Sequence, residues 1–185
     1  MHTHFRSMFS KFTITCILFF SFLTVNGQTN KKSYWDNIPN AVGWINDFEN
    51  IFSEKEEQFL DSLVAAYEVE TSVEIYVITI PKFATERDRF NDLVSEIGKK
   101  WGVGKRELDN GILIAISKEN RALHVMYGTG FTGNLTEEGI AEINDTKFIP
   151  NFQNGDFFMG TLEGIQEIIK ILNQIIQEDK AKIKE

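Results

Sequence analysis

The chain has 185 residues, a formal net charge of −8, one cysteine and three histidines, a size at which one core suffices and a second domain is unnecessary. The acidic excess argues against nucleic acid or an anionic lipid surface as a partner, because like charges repel. A single cysteine excludes an internal disulfide or a multi-cysteine zinc site.

Residues 1–27 contain Arg6 and Lys11 but no acidic residue, followed by an apolar run from Phe12 to Val25 broken by Thr13, Thr15, Cys16, Ser21 and Thr24. That is the layout of a secretory signal peptide, with Val25 and Gly27 suited to a peptidase site before Gln28. The run is shorter than the roughly 20 apolar residues that span a bilayer. The expectation is an exported protein, periplasmic or secreted, with no membrane span once the signal is removed. Cleavage takes Cys16, His2 and His4 with it, so thiolate chemistry and multi-histidine metal sites are excluded as well. Loss of Arg6 and Lys11 leaves 17 basic side chains against 27 acidic ones, a net charge of −10.

Residues 28–41 are polar, without apolar periodicity, and read as a tether, with order expected from about Val42. Ser53 and Glu56 form a capping-box signature. Phe59, Leu60, Leu63, Val64 and Tyr67 then predict one buried helical face. Val73–Ile80 is rich in β-branched residues and reads as a strand stopped by Pro81. From Asp88 to Trp101 the apolar positions Phe90, Leu93, Val94, Ile97 and Trp101 keep helical spacing, and Gly102 and Gly104 end the helix. Ile112–Ile116 is apolar without alternation, which predicts a strand covered on both faces. The polar turn Lys118–Arg121 leads into a returning strand, Ala122–Tyr127, and so to a β-hairpin. Gly128, Gly130 and Gly133 punctuate a loop before Thr136, which caps a helix expected to end before Pro150. Asp156 caps a last helix running to about Ile176, and 177–185 reads as a charged tail. This order predicts an α/β fold, a three-layer α/β/α sandwich with a small mixed β-sheet, over residues 42–176.

Gly128, Thr129 and Gly130 lack the following Lys and Ser/Thr of a phosphate-binding loop. No glycine-flanked serine elbow exists, and His124, between Leu123 and Val125 in a strand, reads as structural. What remains is rich in oxygen: Asn46, Asp47, Asp109, Asn110, Thr132, Asn134, Glu137 and Glu138. Such donors favour Ca²⁺ or Mg²⁺ if their loops share one rim of the sheet. The alternative is local: Asp47 caps a turn, Asp109 with Asn110 and Gly111 makes a left-handed turn, and Glu137 and Glu138 favour a helix N-terminus.

Asn46, Asp47 and Phe48 with Ser53, Glu54 and Glu56, then Trp101 to Gly104, Asp109 to Leu113, Tyr127 to Leu135, Ile149 to Phe152, and Gly155, Asp156 and Gly160 stand in the order of TPM domain landmarks. Over about Val42–Leu172 the chain resembles that family. The resemblance implies an α/β/α sandwich, often exported, whose members include a thylakoid-lumen protein of photosystem II repair and a worm receptor modulator. It also implies divalent cation binding in the rim loops and weak acid phosphatase activity, with Asp47, Asp109 and Asn110 at the matching positions. The chain departs from the family pattern at Thr132, where members usually carry an acidic residue, and at Glu137, where they carry Asp. It also ends in Glu178–Glu185, where many relatives have a transmembrane helix and a glycine-rich tail.

Two functions follow. As an accessory binding module, the domain docks its loop face, with or without a cation, onto a membrane-protein or other envelope partner, with Phe131, Thr132 and Asn134 at the contact. Phe131 is equally readable as a core residue, and Trp35 and Trp44 are readable as anchors or core. As a weak metal-assisted phosphatase, it uses Asp47 or Asp109 as ligand, nucleophile or base, with Lys105 and Arg106 as the nearby cations.

Overall fold

Helix α1, Glu54–Thr71, begins at the expected capping box: Ser53 N–H donates to Glu56 Oε2 at 2.7 Å and Glu56 N–H to Ser53 Oγ at 3.4 Å. The structure is a computed structural model that describes residues 34–131 and 135–182. The signal sequence with its cleavage point and Cys16, and the loop residues Thr132 and Asn134, lie outside the described residues. Helix α1 buries Leu60, Val64 and Tyr67, whereas Phe59 is 54% exposed and makes a T-shaped contact with the Phe158 ring. The buried face is therefore narrower than the apolar spacing predicts.

Strands β1 (Ile45–Asp47), β2 (Glu74–Thr79), β3 (Gly111–Ser117) and β4 (Ala122–Tyr127) form a single sheet in that order. The first three are parallel, and β4 returns antiparallel through the expected hairpin. All of β3 is buried, as its unbroken apolar run predicts. Ile112, Ile114 and Ile116 face one core with Ile75 and Val77. Leu113 and Ala115 face the other with Ile78 and Ile80. Helix α1 covers the first face, together with α3 (Glu137–Ile143), α4 (Ile149–Gln153) and α5 (Phe157–Lys182). Helix α2 (Phe90–Trp101) covers the second through Phe90, Leu93, Val94 and Ile97. The three-layer sandwich with a small mixed sheet is thus the architecture of the chain. The crossovers β1–α1–β2 and β2–α2–β3 advance in the same direction yet pass over opposite faces. One of them therefore has the uncommon left hand.

Several boundaries differ from the sequence reading. Order starts before Val42: Tyr34–Asn37 is a 3₁₀ turn, Ile38 is buried, and Trp35 packs against the second core beneath Arg89. Trp44 likewise packs inward, 4.8 Å from the Tyr76 ring, so neither tryptophan is a free anchor. The α-helix from Thr136 ends at Ile143, before Pro150 as expected, but the helical path continues beyond it. A π-helical segment, Asn144–Phe148, follows α3 and hands over to α4 with Pro150 in its first turn. Proline there lacks the N–H that a regular ladder would need, and the wider π segment absorbs the break. Helix α5 runs on to Lys182, through residues read as a charged tail, because Gln, Glu, Lys and Ala are good helix formers even without a core to cover. Among the described residues no helix is long and apolar enough to cross a membrane.

Candidate functional site

The predicted site residues fall at two opposite ends of the sheet. Asp47 closes β1 at the carboxyl end of the parallel strands, level with Thr79 and, through it, with Ile116. Asp109 precedes β3 at the amino end, seven residues before Ile116. At about 3.3 Å per residue the two ends are roughly 20 Å apart. A cation whose oxygen ligands lie within about 2.6 Å cannot be shared between them. Asp47 and Asp109 therefore do not share one rim, because both aspartates flank parallel strands but on opposite sides of them.

At the carboxyl end, Asp47 Oδ1 accepts from Thr79 Oγ1 at 2.6 Å and Oδ2 from Phe52 N–H at 2.8 Å. Glu49 N–H donates to Thr79 Oγ1 at 2.8 Å. The Glu49 carboxylate accepts from the N–H groups of Lys118 and Glu119 in the hairpin turn. Burial holds Glu49 above its ordinary value, an effect that those N–H donors partly offset. Asp47 here fixes the turn into α1, and the adjacent Asn46 is buried, its amide bridging Gly43 O and Val42 N–H.

At the amino end, Asp109 stands at φ 45°, the left-handed turn expected of it. Its Oδ2 accepts from Thr129 N–H at 2.7 Å and from Thr129 Oγ1 at 2.6 Å. The Thr129 hydroxyl, and then its N–H, hold the carboxyl below its ordinary 3.8. A depressed folded-state value means stability that is present above the unfolded pKa and lost as pH falls through the folded one. Asp109→Asn, which tolerates the same backbone, should therefore be less stable than the parent above about pH 4. That gap should close as the solution is acidified. Thermal melts of both proteins across pH check it, and a pH-independent gap contradicts it.

Asn110 is buried and ties two loops, accepting from Lys105 N–H at 3.0 Å and donating to Ser72 O at 2.8 Å. Lys105, a candidate phosphate cation, is bound at 2.7 Å to Glu68 and at 3.0 Å to Glu74, and this pairing raises its pKa. Glu137 Oε1 accepts from the Tyr127 hydroxyl at 3.3 Å. The Tyr127 phenol is pushed up, by desolvation first and then by Glu137. His124 is half-buried, and burial pushes its imidazole below 6.5, so it is neutral at neutral pH.

Phe131 is not an exposed contact. It is 6% exposed, belongs to the first core, and its carbonyl accepts from Leu135 N–H. Asp109 and Glu137 supply one carboxylate each, already hydrogen-bonded, where Ca²⁺ takes six to eight oxygens. Among the described residues no group of three or more His, Cys, Asp or Glu is placed to hold a metal ion.

A feature that sequence reasoning missed lies at the carboxyl end of β3. A groove of about 980 Å³ opens between the hairpin turn, the start of α2 and the segment from Asn144 to Phe157. Arg87, Lys118 and Arg121 line it, with Leu123, Phe152 and Phe157 among its apolar residues. The Lys118 ammonium lies 5.4 Å over the Phe157 ring. No Asp, Glu, His or Cys is among the lining residues. No local pattern announces this groove, since Lys118 and Arg121 read as a solvated turn and Arg87 lies a whole helix and strand away.

The TPM domain family model matches residues 45–171. Among solved structures, the chain is similar to the N-terminal domain of a P. gingivalis protein, with 23% identity and a TM-score of 0.63 over 72% of this chain and 84% of that one. It is also similar to the BA42 protein from the psychrophilic bacterium Bizionia argentinensis, with 22% identity and a TM-score of 0.59 over 69% and 85%. At these identities the likeness is one of fold. No curated protein matches the chain.

Proposed function

Since the chain belongs to the TPM domain family, matched over 45–171, we propose that it serves as an exported accessory module that binds an envelope protein. The observation that supports this reading is the chemistry of the groove. Three cations and an apolar floor suit holding a ligand, but hydrolysis needs a nucleophile and a general base. The one hydroxyl in the lining belongs to Ser117, which is 1% exposed and accepts from Asn120 N–H at 3.4 Å. Export is the reading of the signal-like run in residues 1–27.

On this reading a divalent cation belongs to the Asp109 rim alone and is dispensable. Calorimetric titration of Ca²⁺ and Mg²⁺ into the purified exported protein should give the same result for Asp47→Asn as for the parent, whereas Asp109→Asn should remove whatever heat the parent shows. Hydrolysis of p-nitrophenyl phosphate with either metal should stay at the buffer rate. Turnover that Asp109→Asn abolishes would replace the binding module with the metal-assisted phosphatase.

A further inference from the structure

The groove at the carboxyl end of β3 is positive in a chain whose net charge is −8. Among the described residues Arg87, Lys118 and Arg121 make no ion pair, although the chain carries 27 acidic side chains. The Glu49 carboxylate, which lies against this turn, is taken up by the backbone N–H groups of Lys118 and Glu119, and the turn's own acidic residue, Glu119, is exposed and is not among the residues that line the groove. Guanidinium groups held apart from carboxylates present planar pairs of donors that match an incoming carboxylate.

We propose that this groove binds a short acidic segment of a partner protein, its carboxylates on Arg87, Lys118 and Arg121 and an aromatic or large apolar side chain on the floor formed by Leu123, Phe152 and Phe157. The proposal rests on the binding-module reading and names its ligand. Volume and lining both favour a peptide over a lone phosphate. About 980 Å³ stands at the top of the roughly 300–1,000 Å³ range of small-molecule clefts, and a phosphate leaves the apolar floor unused. The acidic surface elsewhere argues for a short segment over a whole acidic domain. Charges separated by more than about 8 Å are screened at physiological salt, so a segment lying in the groove feels chiefly its three cations, whereas a broad acidic face meets carboxylates outside it.

The groove wall has a further mark. Asn144 opens the π-helical segment, and its Oδ1 is buried without a hydrogen-bond donor. An unsatisfied acceptor of this kind carries a cost unless something donates to it, and π segments recur at functional sites. Rotation of the amide toward the groove would offer that acceptor to a backbone N–H of a bound segment.

The test is fluorescence anisotropy with a labelled hexapeptide alternating glutamate and phenylalanine, against lysine/phenylalanine and glutamate/serine controls and against phosphatidylglycerol vesicles. The proposal expects binding of the glutamate/phenylalanine peptide alone, weakened about tenfold or more by Arg87→Glu with Arg121→Glu and further weakened by salt. Both positions lie at the surface, and an unchanged melting temperature confirms that the variant is folded. Equal affinity of parent and variant, no binding of the peptide at millimolar concentration, or a preference for vesicles that the variant loses would each overturn the acidic-segment assignment. None of these outcomes touches the binding-module reading, which falls on phosphatase turnover instead.

Discussion

Gly128→Ala should lower the stability of the domain by about 3 kcal/mol or more, the upper end of the cost of overpacking. A Cβ at Gly128 would stand 2.0 Å from the carbonyl oxygen of Asp109 and 2.6 Å from its carbon. Those are backbone atoms, and Gly128 N–H is itself bonded to Gly111 O at 2.9 Å, so neither partner can rotate away as a side chain would. The same rim contains three more backbone contacts of this kind. Gly130 would clash with Leu108 O at 2.2 Å, Gly111 with Gly104 N at 2.3 Å, and Gly104 with Gly111 N at 2.5 Å. For a domain of this size 3 kcal/mol corresponds to a fall of roughly 6–12 °C in melting temperature. Two controls separate clash from conformational preference. Gly102→Ala meets nothing within 4 Å but stands at φ 65°, and should cost only about 1 kcal/mol. Gly139→Ala, in the first turn of α3 with an ordinary 3.5 Å contact to Thr136 Oγ1, should be neutral or stabilising. Urea denaturation followed by circular dichroism ranks the three, and a Gly128 variant as stable as the Gly102 variant would refute the clash.

The second large effect is expected under the π segment. Phe148 is fully buried, and its ring fills a notch in α5 left open by Gly164, one turn on from Gly160, which leaves room for the Phe152 ring. Phe148→Ala should cost about 3–5 kcal/mol, the lost transfer energy together with the cavity. Gly164→Ala should also destabilise, because its Cβ would stand 2.1 Å from Phe148 Cζ. The two losses arise from one shared volume, so they should not add. In the Phe148→Ala background the Gly164→Ala change should become neutral or favourable, an interaction on the order of 0.5–3 kcal/mol in a double-mutant cycle. Strict additivity would show that the ring does not occupy the notch. Since Asn144, which opens this segment, and Ile149, which follows it, line the groove, the single Phe148 variant should also weaken binding of the acidic hexapeptide.

The legible parts of the chain are those whose signals are local. Ser53 and Glu56 announce α1 because a capping box needs only four residues, and Ile112 to Ile116 announce a doubly covered strand because burial on both faces removes alternation. Strand β1 escaped notice because three residues carry no period. Phe131, flanked by glycines, reads equally well as loop contact or core, and only its packing on the first core settles that it is core.

The sequence by itself determined the family resemblance, the layer architecture and the left-handed turn at Asp109, all of which depend on neighbours along the chain. Only the tertiary structure decided which side chains meet. Parallel strands place their incoming and outgoing loops at opposite ends, so Asp47 and Asp109, alike as loop aspartates, are separated by the length of the sheet. The same pairing brings Arg87, Lys118, Arg121 and Phe157 from three separate segments into one groove. Strand register and the helix crossovers set these distances through packing between distant segments, and no spacing along the chain encodes them.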